Sequence, residues 1–576
     1  MSAHKNNAVP LSRISSENSS PGTIIWSIVA QVFLSIVIGV VMAVVANGFI
    51  EGARWIAGLS TGGSRFILPI AGFELKMDLF LSLGLAAILI LGVRRVLGIT
   101  AWSGPAESIF AVQQSKRPLD IKLGIGSTMA AFISASGGAS VGQYGPLVHC
   151  GATFAELVRK YVPIALDSRL FIACGVAGAI SAGFNAPIAG VLFAQEALLR
   201  RFSIGNVAPI AMTSFVAYAV NQTFFDLSLM FTLPDMPIEL SELFPFLTIV
   251  AVLSSITAIF YMSALRGMRQ LTTQSGLSFP KLMAITVLIV GLIGALLPEV
   301  AGLGNQQINQ IINGQFALGF LVILLIAKVA VTVLCLNTGF FGGVFGPALF
   351  VGAALGGICA HLAVMAGLEP SMSSALSVAA MAAVGASVIG APLTVIMIVI
   401  ELTGSYSYGL SAMLCVILCS ILTLRFFGLS YFDRQLLDKG IDMRLGNEHI
   451  EMSQIQVSEI ESSEFLRLSP AMAVVECQQA MADARVTEAY VCDDSGRMVG
   501  KIDIHSLGAA GALESILDRE PTQLSPDETL VDAMNRASTF VGESIPVIDD
   551  GRLVGALTEG DIFNRVLEIQ DSLRRA

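Results

Sequence analysis

The chain has 576 residues, a formal net charge of −10, 54% hydrophobic and 13% charged residues, and mean hydropathy +0.75. A soluble chain carries about 25% charged residues, so most of this one belongs in lipid, and a nucleic-acid partner is not expected. The negative balance says little about other partners, because much of the acid lies in the C-terminal tail. Cysteines are scattered without a CxxC pair and several fall in apolar runs, where they read as small buried hydrophobes.

In chain order, residues 1–22 are polar and lack the charged start, short apolar core and cleavage site of a removed signal peptide. They read as a cytosolic N-terminal segment. Runs long enough to cross a bilayer follow at roughly 24–50, 78–98, 206–221, 245–263, 282–298, 316–336, 374–400 and 410–427. Lys5, Arg13, Lys116, Arg117, Arg200, Arg201 and the 264–281 loop (Arg266, Arg269, Lys281) are basic, whereas 222–244 and 299–315 hold no Lys or Arg. The positive-inside rule puts the N-terminus and the basic loops in the cytoplasm. The expected location is the plasma (inner) membrane, multi-pass, with both termini cytoplasmic.

Between apolar segments, Ile99 to Glu107 is rich in helix breakers, and 122–152 is laced with Gly, Ala and Ser, including Ser134, Ser136, Gly137, Gly138 and Ser140. Small residues let helices approach closely. Val141 to Ala152 contains Gly142-Gln143-Tyr144-Gly145-Pro146 and recurs in the second half as Gly343-Val344-Phe345-Gly346-Pro347 within 342–353. Ala186-Pro187 and Glu196 recur at nearly the same offset as Ala391-Pro392 and Glu401. Two echoes at one offset indicate an internal duplication, with half-repeats over 23–230 and 231–440.

Broken backbone at membrane depth survives only where it is buried in protein or lines a polar cavity. Matching breaks in two halves are the best sequence pointer to a transport site. A helix that starts after a Gly-rich break aims unsatisfied N–H groups and partial positive charge at the break, which suits an anion. A cation path would want carboxylates or a ring of carbonyls, and few Asp or Glu lie in these spans.

After Leu424, Arg425 to Arg434 leads out of the membrane to a polar linker, 441–456. From about 457 the composition is that of a soluble α/β domain, duplicated as 457–515 and 516–576. Val491 to Gly500 and Val547 to Gly555 each read as strand, turn, strand, after helical patterns over Ala471 to Ala484 and Thr529 to Ala537.

Together these residues resemble the CLC family of chloride channels and chloride/proton antiporters, followed by a pair of CBS domains. The implied fold is an α-helical polytopic membrane protein, an inverted repeat with broken helices, then a cytosolic α/β CBS pair. Trp102-Ser103-Gly104-Pro105-Ala106 is similar to the family's GSGIP motif, 142–146 to GKEGP, Phe184-Asn185-Ala186-Pro187 to its next conserved stretch, and 343–347 to GxFxP. Tyr431 is taken as the pore tyrosine. The resemblance implies a dehydrated chloride or similar anion held by Ser103, Gly104 and Tyr431, with amides of Val344 and Phe345, and an outer site at Gln143 to Gly145. It also implies a homodimer with one pore per subunit.

The departures matter more. Where the family's gating glutamate is expected stands Tyr144, whose phenol titrates near pH ~10. It can block sterically or donate to an anion, but it is no anionic plug. Glu196 matches the first acid after the FNAP segment, and Ala197 stands where the proton-transfer glutamate would be. Proton coupling needs titratable groups along a path, so passive, channel-like flux is expected. The alternative is a secondary anion transporter, proton-coupled through other groups such as Tyr144, His149 or Glu401, or carrying another anion such as bicarbonate.

Glu196 and Glu401 read first as structural carboxylates near helix ends, and His149 as a satisfied buried histidine. Lys122 adds positive potential near an entrance or snorkels. Trp102 and the early Pro105 change the backbone beside Ser103. By resemblance, serine there favours chloride over nitrate, and Ser103 with Tyr431 argues against the fluoride-exporting branch. In the tail, Gly555-Ala556-Leu557-Thr558-Glu559-Gly560-Asp561 fits a nucleotide pattern, so Thr558 and Asp561 are the candidates for an adenine nucleotide. Gly500 to Ser506 lacks both. No cofactor is required and no metal site is expected. An intramembrane enzyme would need a nucleophile–base pair or a metal cluster, and only His149 and His361 lie in apolar surroundings.

Overall fold

The computed structural model describes residues 21–61, 67–70, 73–113, 119–161, 168–200, 202, 204–225, 231, 233, 240–462, 465–508 and 513–575. Residues 1–20, with Lys5 and Arg13, and also Lys116, Arg117 and Arg201, lie outside the described residues. The chain forms two compact units, 1–112 with 117–436, and 113–116 with 437–576.

In the first unit α1 (Pro21–Thr61) precedes a hairpin of β1 (Ile67–Ile70) and β2 (Phe73–Lys76). Then follow α2 (Asp78–Leu97), α3 (Pro105–Gln113), α4 (Ile121–Ser136), α5 (Tyr144–Tyr161), α6 (Ser168–Phe184), α7 (Pro187–Phe193, continued as a π-helix over Ala194–Leu199) and α8 (Ile204–Phe224). The second half runs through α9 (Leu240–Gln274), α10 (Phe279–Leu296), α11 (Asn305–Ile312), α12 (Leu318–Thr338), α13 (Phe345–Met365), α14 (Ser373–Ile389), α15 (Pro392–Thr403) and α16 (Tyr406–Phe426), then α17 (Tyr431–Leu437).

Eight helices among the described residues are long and apolar enough to cross a membrane. Large apolar side chains such as Phe33, Phe215 and Leu288 lie on the outside, which only a lipid environment makes favourable. The duplication is a packing fact as well. Helix α1 packs on α6 and α8, as α9 packs on α14 and α16; α5 lies against α6 as α13 lies against α14.

Several spans differ from the sequence reading. The 374–400 run is two helices, because Gly390 turns left-handed at φ 74° and Pro392 starts the next helix. Helices α6 and α7, rich in Gly and Ala and shorter than a full span, fall outside the expected runs, as does α13. Those small residues are what their burial requires. A β-carbon on Gly151 would stand 2.3 Å from the Gly175 carbonyl oxygen, and one on Gly175 would stand 2.2 Å from that of Gly151.

In the second unit, β3 (Arg467–Leu468), α19 (Val474–Ala484), β4 (Glu488–Cys492) and β5 (Met498–Asp503) form one motif, with β3 parallel and β5 antiparallel to β4. The second copy has Leu524 bridged in parallel to Val547, then α20 (Leu530–Ala537), β6 (Ser544–Asp549), β7 (Arg552–Thr558) and α21 (Glu559–Arg575). Both hairpins shift register at the same place, between Val491 and Cys492 and between Val547 and Ile548. The stretch expected as a polar linker is folded instead. It forms α18 (Gly446–Met452), packed on α20 and α21, with Met452 and Ile455 in the second copy's core. Its apolar residues Ile450, Met452 and Ile455 have a face to bury.

Candidate functional site

The two breaks meet at the centre of the first unit. Gly142 and Gly343 form an antiparallel bridge: the Gly142 N–H donates to the Gly343 carbonyl at 2.7 Å and the Gly343 N–H to that of Gly142 at 2.6 Å. Side chains are excluded there, since a β-carbon on Gly142 would lie 2.8 Å from the Gly343 oxygen and 2.9 Å from the Gly346 nitrogen. Immediately beyond the bridge α5 and α13 begin, so two helix starts lie back to back. Intrahelical bonding resumes at the Leu147 and Ala348 amides, which donate to the Gln143 and Val344 carbonyls. The amides of residues 144–145 and 345–346 therefore precede the helical ladder.

A small apolar cavity lies against these starts. It is bordered by Pro105 at the head of α3, Tyr144 and Gly145 at the head of α5, Phe345 at the head of α13 and Phe432 in α17. Val148, Ile180, Phe184, Phe193, Ile389 and Ile398 complete it. Tyr144, 3% exposed, lies flat on Phe184 with ring centroids 3.5 Å apart and planes 12° apart. Phe345 stands edge-on to both, at 6.1 Å from Tyr144 and 5.7 Å from Phe184. Tyr144 is thus a wall of the cavity and closes it on one side. Gln143, just before it, is buried with neither amide atom hydrogen-bonded.

The other expected ligands lie just before α3 and in α17. Ser103 is buried and its N–H donates to Ser127 Oγ at 2.9 Å, while the Gly104 N–H donates to Glu107 Oε2 at 2.7 Å. The residue of this turn that borders the cavity is Pro105. Trp102 packs on Phe341, centroids 6.0 Å apart. In α17, Phe432 borders this cavity and Tyr431 is not among its lining residues. As successive residues of one helical turn their side chains diverge by about 100°, and Tyr431 is half-buried within electrostatic range of Tyr261. Tyr261 itself donates to the Val344 carbonyl at 3.2 Å.

Glu196 and Glu401 have a reciprocal arrangement. Glu196 accepts from the Leu393 and Thr394 amides at the head of α15, at 3.0 and 2.8 Å, and from the Thr394 hydroxyl. Glu401 accepts from the Ile188 and Ala189 amides at the head of α7, both at 2.8 Å. Each half caps the other half's broken helix, and each carboxylate occupies the anion position that such a helix start offers. Ala197 is buried in the π-helical stretch of α7.

His149 is buried on α5, with Nδ1 2.7 Å from Ser108 Oγ and Nε2 without a hydrogen-bond partner. Lys122 is exposed beside Arg159 and Lys160 in a separate hollow. Lys328 was missed by the sequence reading. It is fully buried, and its ammonium donates to the Val300 and Gly302 carbonyls at 3.0 and 3.1 Å and sits 4.8 Å from the centre of the Phe350 ring. A single lysine within the apolar run 318–338 was the available signal.

In the second unit Thr558 and Asp561 are already engaged with each other. The Thr558 N–H and hydroxyl donate to Asp561 Oδ2 at 3.0 and 2.6 Å, and the Asp561 N–H returns to Thr558 Oγ1 at 3.1 Å. This is a capping box at the head of α21. Beside it, Glu461 Oε2 is buried against Gly555 without a partner, and burial raises its carboxyl above the ordinary range. Among the described residues no group of three or more His, Cys, Asp or Glu side chains could hold a metal ion.

The profile of the voltage gated chloride channel family matches residues 83–424, and that of the CBS domain matches 513–568. A putative chloride channel protein, ClcB-like, of Ralstonia nicotianae is 27% identical over 382 residues, 63% of this chain and 85% of that protein. The H(+)/Cl(−) exchange transporter ClcA of Vibrio cholerae is 28% identical over 403 residues, 65% of this chain and 82% of that protein. In fold the chain is similar to a slow cyanobacterial Cl−/H+ antiporter, with TM-score 0.64 at 20% identity, covering 71% of this chain and 97% of the other. It is also similar to a eukaryotic CLC transporter, with TM-score 0.63 at 17% identity, covering 93% and 98%.

Proposed function

Since the chain belongs to the voltage gated chloride channel family, we propose that it conducts chloride or a similar small anion passively, without coupled proton movement. The observation that carries this is the pair Tyr144 and Ala197 at the two positions where proton-handling carboxylates are expected by resemblance, both buried beside broken helices. Of the nearby carboxylates, Glu196 and Glu401 are each committed to two main-chain amides, and Glu107 accepts from the Gly104 amide. The anion is held by helix-start amides around Gly145 and Phe345, and Tyr144 is the gate. The protein works as a homodimer in the plasma membrane with cytoplasmic termini, and its tail takes an adenine nucleotide at Thr558 and Asp561, which must then exchange their mutual bonds for the ligand.

The test is the reversal potential of the purified protein in liposomes under opposed chloride and pH gradients. A reversal at the chloride equilibrium potential, unmoved by pH, is expected. One observation favours a second reading, proton-coupled exchange: the unpartnered Nε2 of His149 in the interior. It predicts a reversal that moves with the pH gradient and returns to the chloride potential in His149→Asn.

A further inference from the structure

A larger hollow opens on the surface of the first unit, at the opposite end of α5 from Tyr144. Its volume is about 820 Å³, within the ~300–1,000 Å³ typical of small-ligand sites. Helix α4 supplies Lys122, Ile125 and Met129, and the C-terminal end of α5 supplies Lys160 and Tyr161. Spaced by three and four residues, Lys122, Ile125 and Met129 form one stripe along α4. The cation stands at one end of that stripe and Met129 about 10 Å further along the axis. Ile125 is 48% and Met129 46% exposed, so this wall is apolar and open to lipid.

The charges around the hollow are unevenly matched. Asp120 is committed to capping α4, where it accepts from the Leu123 N–H at 3.1 Å. Glu156 is held by Arg159, which donates through Nε at 3.0 Å and Nη2 at 2.5 Å. Among the described residues, Lys122 and Lys160 have no ion-pair partner. Both are exposed. Ammonium groups at the rim of an apolar wall, beside the exposed ring of Tyr161, mark the depth at which headgroups meet acyl chains. The positive-inside rule assigns the basic stretch just before α4 to the cytoplasm, and basic pockets on that side attract anionic headgroups. A free anion would use the ammonium groups and leave the apolar stripe uncovered. A phospholipid covers both.

We propose that this hollow binds one anionic phospholipid, its phosphate held by Lys122 and Lys160 and an acyl chain laid along Ile125 and Met129. The site is separate from the cavity at the helix starts and does not depend on whether conduction is coupled to protons. A zwitterionic lipid fits the same stripe, but its own ammonium offsets its phosphate, so the two lysines select for net negative charge.

The experiment is native mass spectrometry of the full-length protein released from nanodiscs of equal parts phosphatidylglycerol and phosphatidylcholine, counting the lipids retained per subunit. The wild type is expected to retain one phosphatidylglycerol in preference to phosphatidylcholine. The double variant Lys122→Gln with Lys160→Gln is expected to lower that preference ~30-fold, the scale of two lysines acting on an anionic lipid. Lys281→Gln, at an exposed lysine of α10 outside the hollow, should leave it unchanged. Equal retention of the two lipids by the wild type overturns the inference. So does a double variant that keeps the wild-type preference, or a Lys281→Gln that lowers it as much, since the attraction would then belong to the whole surface. A rise in Tm on adding phosphatidylglycerol in detergent that inorganic phosphate reproduces also overturns it, because the lysines would then serve a soluble anion. If the double variant does not assemble, Lys160→Gln alone decides, with an expected ~5-fold loss of preference.

Discussion

Around Gly142 and around Gly343 the chain makes the same backbone twice, and then uses it differently. Both segments bridge through a glycine, place an aromatic residue first in the helix and follow it with Gly-Pro. In the first half the aromatic is Tyr144, flat against Phe184; in the second it is Phe345, edge-on to both rings. The residue before it is Gln143, with unbonded amide atoms, in one half and Val344 in the other. Backbone contact leaves no room for the glycines to change, so symmetry persists there. Side chains one residue away are free to diverge, and only the first copy carries the ring proposed as the gate, Tyr144, while Phe345 in the second is a wall.

The harshest way to break this comparison is at the bridge. Gly142→Ala meets the main chain of 343–346 at under 3 Å and should cost about 3 kcal/mol or more, read as loss of monodisperse protein or a much lower Tm. Gly343→Ala should do the same within ~1 kcal/mol, because the bridge is mutual; a mild Gly343→Ala would show that the halves do not share the contact equally.

The crossed caps come next. Glu196→Ala and Glu401→Ala each leave two amides unpaired and should each destabilise by about 2 kcal/mol, with Gln at either position milder. Unequal losses would sharpen the comparison by showing which broken helix depends more on its partner. In the conducting variants the reversal potential should stay where it was.

The gate-and-wall distinction predicts a smaller effect. Tyr144→Ala removes a stacked pair worth about 1 kcal/mol and should raise anion flux ~5-fold. Phe345→Ala should lower Tm without that gain. Equal flux changes in the two would remove the distinction.

The smallest effect lies in the second unit and serves as a control outside the membrane. Arg444 beside Asp442 holds its carboxyl down to about 2. A carboxylate with a lowered folded value contributes stability above its ordinary pKa of ~4 and loses it as pH falls toward that lowered value. Asp442→Asn should therefore flatten the acid side of the tail's melting profile between those limits. The change should be small because the Arg444 side chain is 64% exposed.

Much of this was legible in the chain. Apolar runs such as 245–263 and 282–298 announce their helices, since lipid demands unbroken hydropathy there. The echo of 142–146 in 343–347 announces the duplication and the meeting of two helix starts. Legibility failed where burial in protein replaces burial in lipid. Helices α6 and α7 are built of small residues whose fitness lies in a neighbour's backbone, as Gly151 and Gly175 are for each other. It failed also at 446–455, where three apolar residues in a polar stretch suffice for a short helix once a core is nearby.

What the sequence determined by itself is class and arrangement: a polytopic helical membrane protein in two halves with broken helices, and a duplicated α/β tail. These depend on composition, period and repeat, which are properties of the chain. Only the tertiary structure decided which side chains share a space. That Phe432 rather than Tyr431 borders the cavity, that Glu196 and Glu401 cap each other's halves, and that Lys328 rests on two carbonyls all depend on helix rotation and on contacts between distant segments. One residue along a helix turns a side chain by about 100°, a change no linear pattern resolves.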